Sequence, residues 1–148
     1  MDTIVKNYLQ KFGVSEATQT FLSKVQKMFI GGAWVEASDG QTSDVIEPST
    51  EGLITRIPMG TADDLDRAVQ AARAQFDGGA WRQAKPAERE RMMQRLADLI
   101  EQNAAELAEI ESIDMGKSVA FAKDVDIQGT VDTPVSYTHL TLPTNREV

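Results

Sequence analysis

A reaction needs a nucleophile, a proton carrier or a metal ligand, and this chain supplies few of them. It contains no cysteine and one histidine, His139. Thiol nucleophiles, disulfide frameworks and zinc sites of the usual nitrogen and sulfur type are therefore excluded within it. A Ser–His pair would have to use His139, which stands in a terminal stretch set aside below. Asp63, Asp64 and Asp66 are clustered, but at helical spacing and without the glycine and distal glutamate of a calcium loop. ERER at Glu88–Arg91 reads as a solvated helix face with weak ion pairs rather than an anion site. Neither a GxGxxG nor a Walker pattern follows Gly31-Gly32, so that pair is expected to form a hairpin turn and not a phosphate loop. Met92-Met93 reads as gap-filling core. The chain carries packing elements and lacks the usual tools of catalysis.

Composition sets the frame for those elements. With 148 residues, 41% apolar and 26% charged, the chain suits one soluble globular domain with a real core. A net charge of −8 with acids and bases intermixed argues against a nucleic-acid partner. No apolar run approaches the length of a membrane span. MDTIVKNYLQKFG also lacks the basic-then-apolar form of a secretory signal. The expectation is a cytoplasmic protein with no membrane partner.

Residues 1–27 carry apolar positions at Ile4, Val5, Tyr8, Leu9 and Phe12, then Phe21, Leu22 and Val25. Gly13 and Ser15 read as a stop and a new N-cap, which predicts two short helices covering a nearby surface. Short apolar runs around Phe29–Ile30, Trp34–Val35, Val45–Ile46 and Leu53–Ile57 follow, punctuated by Asp39-Gly40 and Ser49–Gly52. That pattern predicts a β-meander of two or three strands. Thr61 and Asp64 have the form of a capping box, and Leu65, Ala68, Val69, Ala72 and Phe76 make a stripe expected to face a core. Trp81 is expected to pack beneath the turn that ends this helix. Pro86 suits a first helical turn, with Met92, Met93, Leu96, Leu99 and Ile100 as the inward face. Asn103 with Glu106 predicts a capped start to the next helix, which Gly116 closes. Ser118–Asp132 reads as a further helix.

The last fifteen residues, PVSYTHLTLPTNREV, show no helical or strand period. Val135–Thr144 is what one reading frame of a common transposase sequencing adapter encodes. The match runs through the junction at Pro134 and on through Asn145–Val148 to a stop codon. Residues 134–148 are therefore expected to be a non-native tail, with native sequence ending at or near Thr133 and no functional meaning in Tyr137, His139 or Arg146.

Several phrases taken together resemble the N-terminal region of the aldehyde dehydrogenase superfamily. They are FIGGAWVEA, VIEPSTEGLITRIPMGTADDLDRAVQAARAQF and WRQAKPAERERMMQRLADLIEQNAAELAEIESIDMGKSV. The similarity runs from about Met28 to Thr133, and within the family it is most similar to the phenylacetaldehyde dehydrogenase branch. The resemblance implies residues 1–27 as an N-terminal helical extension and 28–133 as the first part of an NAD(P)-binding domain. The implied parent is an α/β protein, represented here by a short β-meander followed by three or four amphipathic helices.

The resemblance also implies chemistry for the full-length parent. Family members oxidise an aldehyde to a carboxylic acid with NAD or NADP. A cysteine thiolate attacks the carbonyl, hydride passes to the nicotinamide, and a Glu-activated water releases the acid. The cysteine is missing here, as are the family's PWN-type and GSTxVG-type cofactor segments. No catalytic or cofactor-binding residue is therefore expected in this piece, and it should be inactive by itself. One family site is implied to reach into it: a structural Na+ or K+ ion held by backbone oxygens of Val45 and Ile46 and by Asp114. Without the ligands that follow, this ion site should be poor. A small aldehyde is the implied partner of the parent, which is expected to be a homo-oligomer. The piece alone should expose an apolar stripe that the absent sheet would cover. The rival reading is a stand-alone helical interaction module with no enzymatic activity.

Overall fold

The computed structural model describes residues 3–138. Helices α1 (Thr3–Leu9) and α2 (Glu16–Leu22) open the chain, joined by a 3-10 turn at Gln10–Phe12. Ser15 caps α2, its hydroxyl accepting from the Thr18 amide at 3.3 Å, as the Gly13/Ser15 pair predicts. Both helices cover a neighbouring surface: α1 packs on β4 (Leu53–Pro58), and α2 on α6 (Ala104–Met115).

The predicted meander is instead two separate antiparallel hairpins. Strands β1 (Met28–Ile30) and β2 (Ala33–Val35) form one, and β3 (Thr42–Ile46) pairs with β4 in the other. Pairing does not continue from β2 to β3 because the segment between them is held elsewhere. The Ser38 amide and hydroxyl donate to the Asp64 carboxylate at 3.0 and 2.5 Å, tying the segment to the following helix. Gly31-Gly32 is the hairpin turn expected of it. Both residues have positive φ, 61° and 86°, the conformation that a tight two-residue turn requires.

The capping box is present at the start of α3 (Ala62–Gly78). The Thr61 hydroxyl accepts from the Asp64 amide at 3.3 Å, and the Asp64 carboxylate accepts from the Thr61 amide at 2.9 Å. The short α4 (Ala80–Gln83) leads to α5 (Pro86–Gln102), with Pro86 in its first turn. Asn103 does not cap α6 as predicted. Its side-chain amide donates to the Leu99 carbonyl at 2.7 Å, satisfying the open end of α5 and leaving α6 without a side-chain cap. After Gly116 come α7 (Val119–Phe121), a π-helical segment at Ala122–Ile127, and α8 (Gln128–Thr138).

The absence of period in the terminal stretch does not prevent helix there. α8 runs on to Thr138 with Pro134 inside it, and Pro134 is buried. Packing of α8 along α5 outweighs local propensity. His139 and Arg146 lie outside the described residues.

The main core joins Val5 and Leu9 of α1, Leu22 of α2, Ile54 of β4 and Ile113 of α6. A second cluster, Ala108, Ala122 and Ile127, binds α6 to the π-helical segment. The α3 stripe belongs to neither. Leu65 is 66% and Phe76 67% exposed, and Val69 is exposed as well. On α5, Met92, Leu96 and Leu99 are likewise exposed. Helical spacing defines an apolar face but not what lies against it: among the described residues little covers the α3 stripe, whereas on α5 Met93 and Ile100 of the expected inward face are half-buried. Trp81 is half-exposed rather than tucked under its turn, with the Arg89 guanidinium 5.8 Å from its ring centroid.

Candidate functional site

The residues implied as ion ligands sit where the β3–β4 turn meets the end of α6. The two strands pair in register from Thr42–Pro58 to Val45–Thr55, and then Ile46 faces Leu53. Ile54 is therefore the extra residue of a bulge. A bulge breaks the ladder and re-aims side chains. Here it sends Ile54 into the core, 2% exposed, and interrupts regular pairing at Val45/Ile46.

The turn that follows folds around one carboxylate. Glu47 is buried and accepts from the Ser49 hydroxyl and amide at 2.5 and 2.8 Å. It also accepts from the Thr50 hydroxyl and amide at 2.6 and 2.8 Å. Tyr8 of α1 donates to it at 3.3 Å and is hydrogen-bonded to the Thr50 hydroxyl. The Ser49 and Thr50 hydroxyls, with burial opposing them and the two amides assisting, hold the Glu47 carboxyl down at about 2. A carboxylate so satisfied stays ionised and anchors the turn. It is unsuited to general acid–base work near neutrality.

The end of α6 lies against this turn. Gly116 has φ of 70°, and a Cβ there would lie 3.0 Å from Pro48 Cγ, so glycine answers both the backbone conformation and the close approach. The Ser112 hydroxyl donates to the Lys117 carbonyl at 2.5 Å. The Lys117 ammonium lies 2.6 Å from a carboxylate oxygen of Glu111 and 2.6 Å from one of Asp126. Asp126 first, then Glu111, raises the Lys117 pKa against a smaller opposing effect of burial.

Of the three sequence-derived candidates, Val45 is half-buried with its side chain against the core, Ile46 is exposed, and Asp114 is exposed on the last turn of α6. The Gly116–Pro48 contact brings their two segments together. Backbone carbonyls and one carboxylate are hard oxygen donors, which suit a monovalent cation better than a soft metal. Among the described residues, no group of three or more His, Cys, Asp or Glu could hold a metal ion.

Among the described residues, neither the Gly31-Gly32 turn nor the start of α3 is built to cradle a dinucleotide phosphate. Gly31-Gly32 joins two strands, and β4 enters α3 through Met59–Thr61 with a single glycine. The positive end of α3 is already taken by its own Asp64 carboxylate, which would repel a phosphate there.

Two further carboxylate anchors escaped sequence reasoning. Asp64, recognised only as half of a capping box, also accepts from Ser38 and Arg67. The Ser38 hydroxyl and the Thr61 and Ser38 amides hold its carboxyl well below the usual range. Glu109 of α6 accepts from the Thr18 hydroxyl at 2.5 Å and the Ser15 hydroxyl at 2.7 Å, fastening α6 to α2. Burial raises the Glu109 pKa, but these bonds outweigh it and the net shift is downward. The partners are 26 and 91 residues away, so no local pattern marks them.

The sequence model described as "Aldehyde dehydrogenase family" matches residues 34–146. An aldehyde dehydrogenase of Alternaria alternata is 45% identical over 100 residues, covering 68% of this chain and 20% of that protein. The phenylacetaldehyde dehydrogenase of Pseudomonas fluorescens is 39% identical over 101 residues, with 68% and 20% covered. An NAD+ complex of the aldehyde dehydrogenase of Bacillus cereus superposes with a TM-score of 0.83 at 37% identity, covering 85% of this chain and 26% of that one. The chain belongs to the aldehyde dehydrogenase family. The architecture described above is the N-terminal part of that fold. The chain spans about a fifth of the length of the curated relatives it matches.

Proposed function

We propose that this sequence is the first part of a longer enzyme that oxidises an aldehyde to the carboxylic acid with NAD+ or NADP+. The aldehyde is phenylacetaldehyde-like, and the residues that perform the chemistry lie outside these 148. The carrying observation is the family match over residues 34–146 in a chain with no cysteine, because thiolate chemistry needs one. Similarity to a phenylacetaldehyde dehydrogenase supports the substrate class. Likeness to a protein solved with NAD+ supports the cofactor.

In this reading the described elements pack and position. The open faces of α3 and α5 receive the remaining elements of the enzyme, a cytoplasmic homo-oligomer whose partner is a small aldehyde and neither nucleic acid nor membrane. No helix among the described residues is long and apolar enough to cross a membrane. The Val45 and Ile46 carbonyls and the Asp114 carboxylate hold a structural Na+ or K+, weakly without ligands from elsewhere. The bulge at Val45/Ile46 and the Gly116–Pro48 contact support this assignment.

Residues 134–148 are proposed as adapter-encoded. The match of the family model to residue 146 is the observation to set against that proposal. Reading the source DNA past the Thr133 codon tests the whole reading. The expected result is an open frame that diverges from PVSYTHL and continues to a cysteine codon. A native stop soon after Thr133 would overturn it and favour a stand-alone interaction module.

A further inference from the structure

We propose that the cleft where α3, α4 and α5 meet binds a small aromatic carboxylate. Ala72, Gln75 and Phe76 at the end of α3, Trp81 and Arg82 of α4, and Arg89 of α5 line a cavity of about 630 Å³. That volume is in the ordinary range for a small-molecule site, where a largely apolar wall carries a few polar groups. Phe76 and Trp81 make the wall, and both present open ring surface.

The charge comes from two arginines that the backbone holds in place. Arg82 Nη1 donates to the Phe76 and Asp77 carbonyls at 3.4 and 3.2 Å, satisfying the open end of α3. Arg89 Nε donates to the Ala84 carbonyl at 3.1 Å, and its guanidinium stands over the Trp81 ring. Arg89 is thereby drawn out of the solvated ERER face and is half-buried. A guanidinium has five N–H donors, and these bonds occupy one nitrogen of each. Among the described residues, no carboxylate lies within ion-pair distance of either arginine. The acids adjacent in sequence are engaged elsewhere. Asp77 pairs with Arg73 at 4.0 Å, Glu88 accepts from the Lys85 amide at 2.8 Å, and Glu90 accepts from the Gln94 side chain at 3.4 Å. In a chain of net charge −8, the cleft is a local reversal of sign beside two open rings. A guanidinium fork matches a carboxylate in charge and geometry, and the ring faces take an aromatic group. An aliphatic acid or inorganic phosphate would meet the arginines but leave the rings in water.

The test is a titration of Trp81 fluorescence in the 148-residue chain carrying Trp34→Phe. The chain has two tryptophans, and Trp34 is 68% exposed, so this change isolates the Trp81 signal without touching the core. Phenylacetate is the probe, compared at equal ionic strength with phenylacetamide, acetate and inorganic phosphate. Phenylacetate is expected to give a saturable change, half complete below about 10 mM. Phenylacetamide keeps the ring and loses the charge, and it should bind at least about tenfold more weakly. Acetate and phosphate, which lack the ring, should also bind more weakly. Arg89→Met keeps an apolar stem and should weaken phenylacetate binding about tenfold, and Phe76→Ser about fivefold. Leu65→Ser, on the α3 stripe outside the cleft, should leave it unchanged. Thermal melts establish that each variant is folded. The comparison among ligands needs only the Trp34→Phe chain, so it decides the matter even where Arg89→Met unfolds. Phenylacetamide binding as tightly as phenylacetate overturns the proposal, as does phosphate or acetate doing so. The absence of any saturable change, or full binding by folded Arg89→Met, overturns it equally.

Discussion

Replacing Ile54 tests where the folding energy of this chain resides. Ile54 is the bulge residue of β4, 2% exposed, and meets Val5, Leu9, Leu22 and Ile113. Truncation to alanine removes everything beyond Cβ from the middle of that cluster, with α1, α2 and α6 fastened around it. Deletions of this kind cost about 2–5 kcal/mol, and Ile→Val about 1 kcal/mol. At roughly 4 °C per kcal/mol for a chain of this size, Ile54→Val should lower the melting midpoint by about 4 °C. Ile54→Ala should lower it by about 10 °C or more, close to unfolding for a small core. Leu65→Ala is the control, because Leu65 is 66% exposed and its loss should stay within about 0.5 kcal/mol. Thermal melts followed by circular dichroism provide the comparison. If Leu65→Ala destabilised as much as Ile54→Val, the α3 stripe would be a core face in this chain and the assignment of the core would be wrong.

Further outcomes follow from particular contacts. The Glu47 carboxyl sits at about 2 when folded against an ordinary 4.5. The unfolded chain therefore binds more protons between those values, and this contribution to stability is complete above pH 4.5 and lost as pH falls toward 2. Urea midpoints across that window should fall with acid for wild type and less steeply for Glu47→Gln. Gly116→Ala must place a Cβ 3.0 Å from Pro48 Cγ at φ of 70° and should cost about 1 kcal/mol or more, read as a lowered urea midpoint. Gly52→Ala drives a methyl into the Tyr8 ring, so limited proteolysis should cut between α1 and α2 faster than in wild type. Replacing Leu65, Val69 and Phe76 together by serine should reduce binding of a hydrophobic dye without lowering the melting midpoint, because all three are exposed.

What the residues reveal in advance is what they settle locally. The Thr61/Asp64 box, the Ser15 cap, the Gly31-Gly32 turn and the Gly116 stop each involve partners within a few residues, and the structure shows all of them. Where a group had a choice of partners, local reading failed. The amide of Asn103 served the helix behind it rather than the one ahead. The strand runs divided into two hairpins because Ser38 is claimed by Asp64. The apolar stripes of α3 and α5 were correctly located, but periodicity is silent on whether a covering layer is present. The candidate site was legible only through family resemblance. Asp114 has no local signature, and the tie of the Glu47 turn to Tyr8 spans 39 residues.

The central claim is that this chain packs and positions while the reaction belongs to the rest of a longer enzyme. Its most direct test is to measure NAD(P)H formation from phenylacetaldehyde by two purified proteins, the 148-residue chain and the product of the complete source gene. The expected result is steady turnover by the complete protein, abolished by a thiol-alkylating reagent, and none by the short chain. Turnover by the short chain, which has no thiol to alkylate, would contradict the claim, as would a complete gene product that leaves the aldehyde untouched.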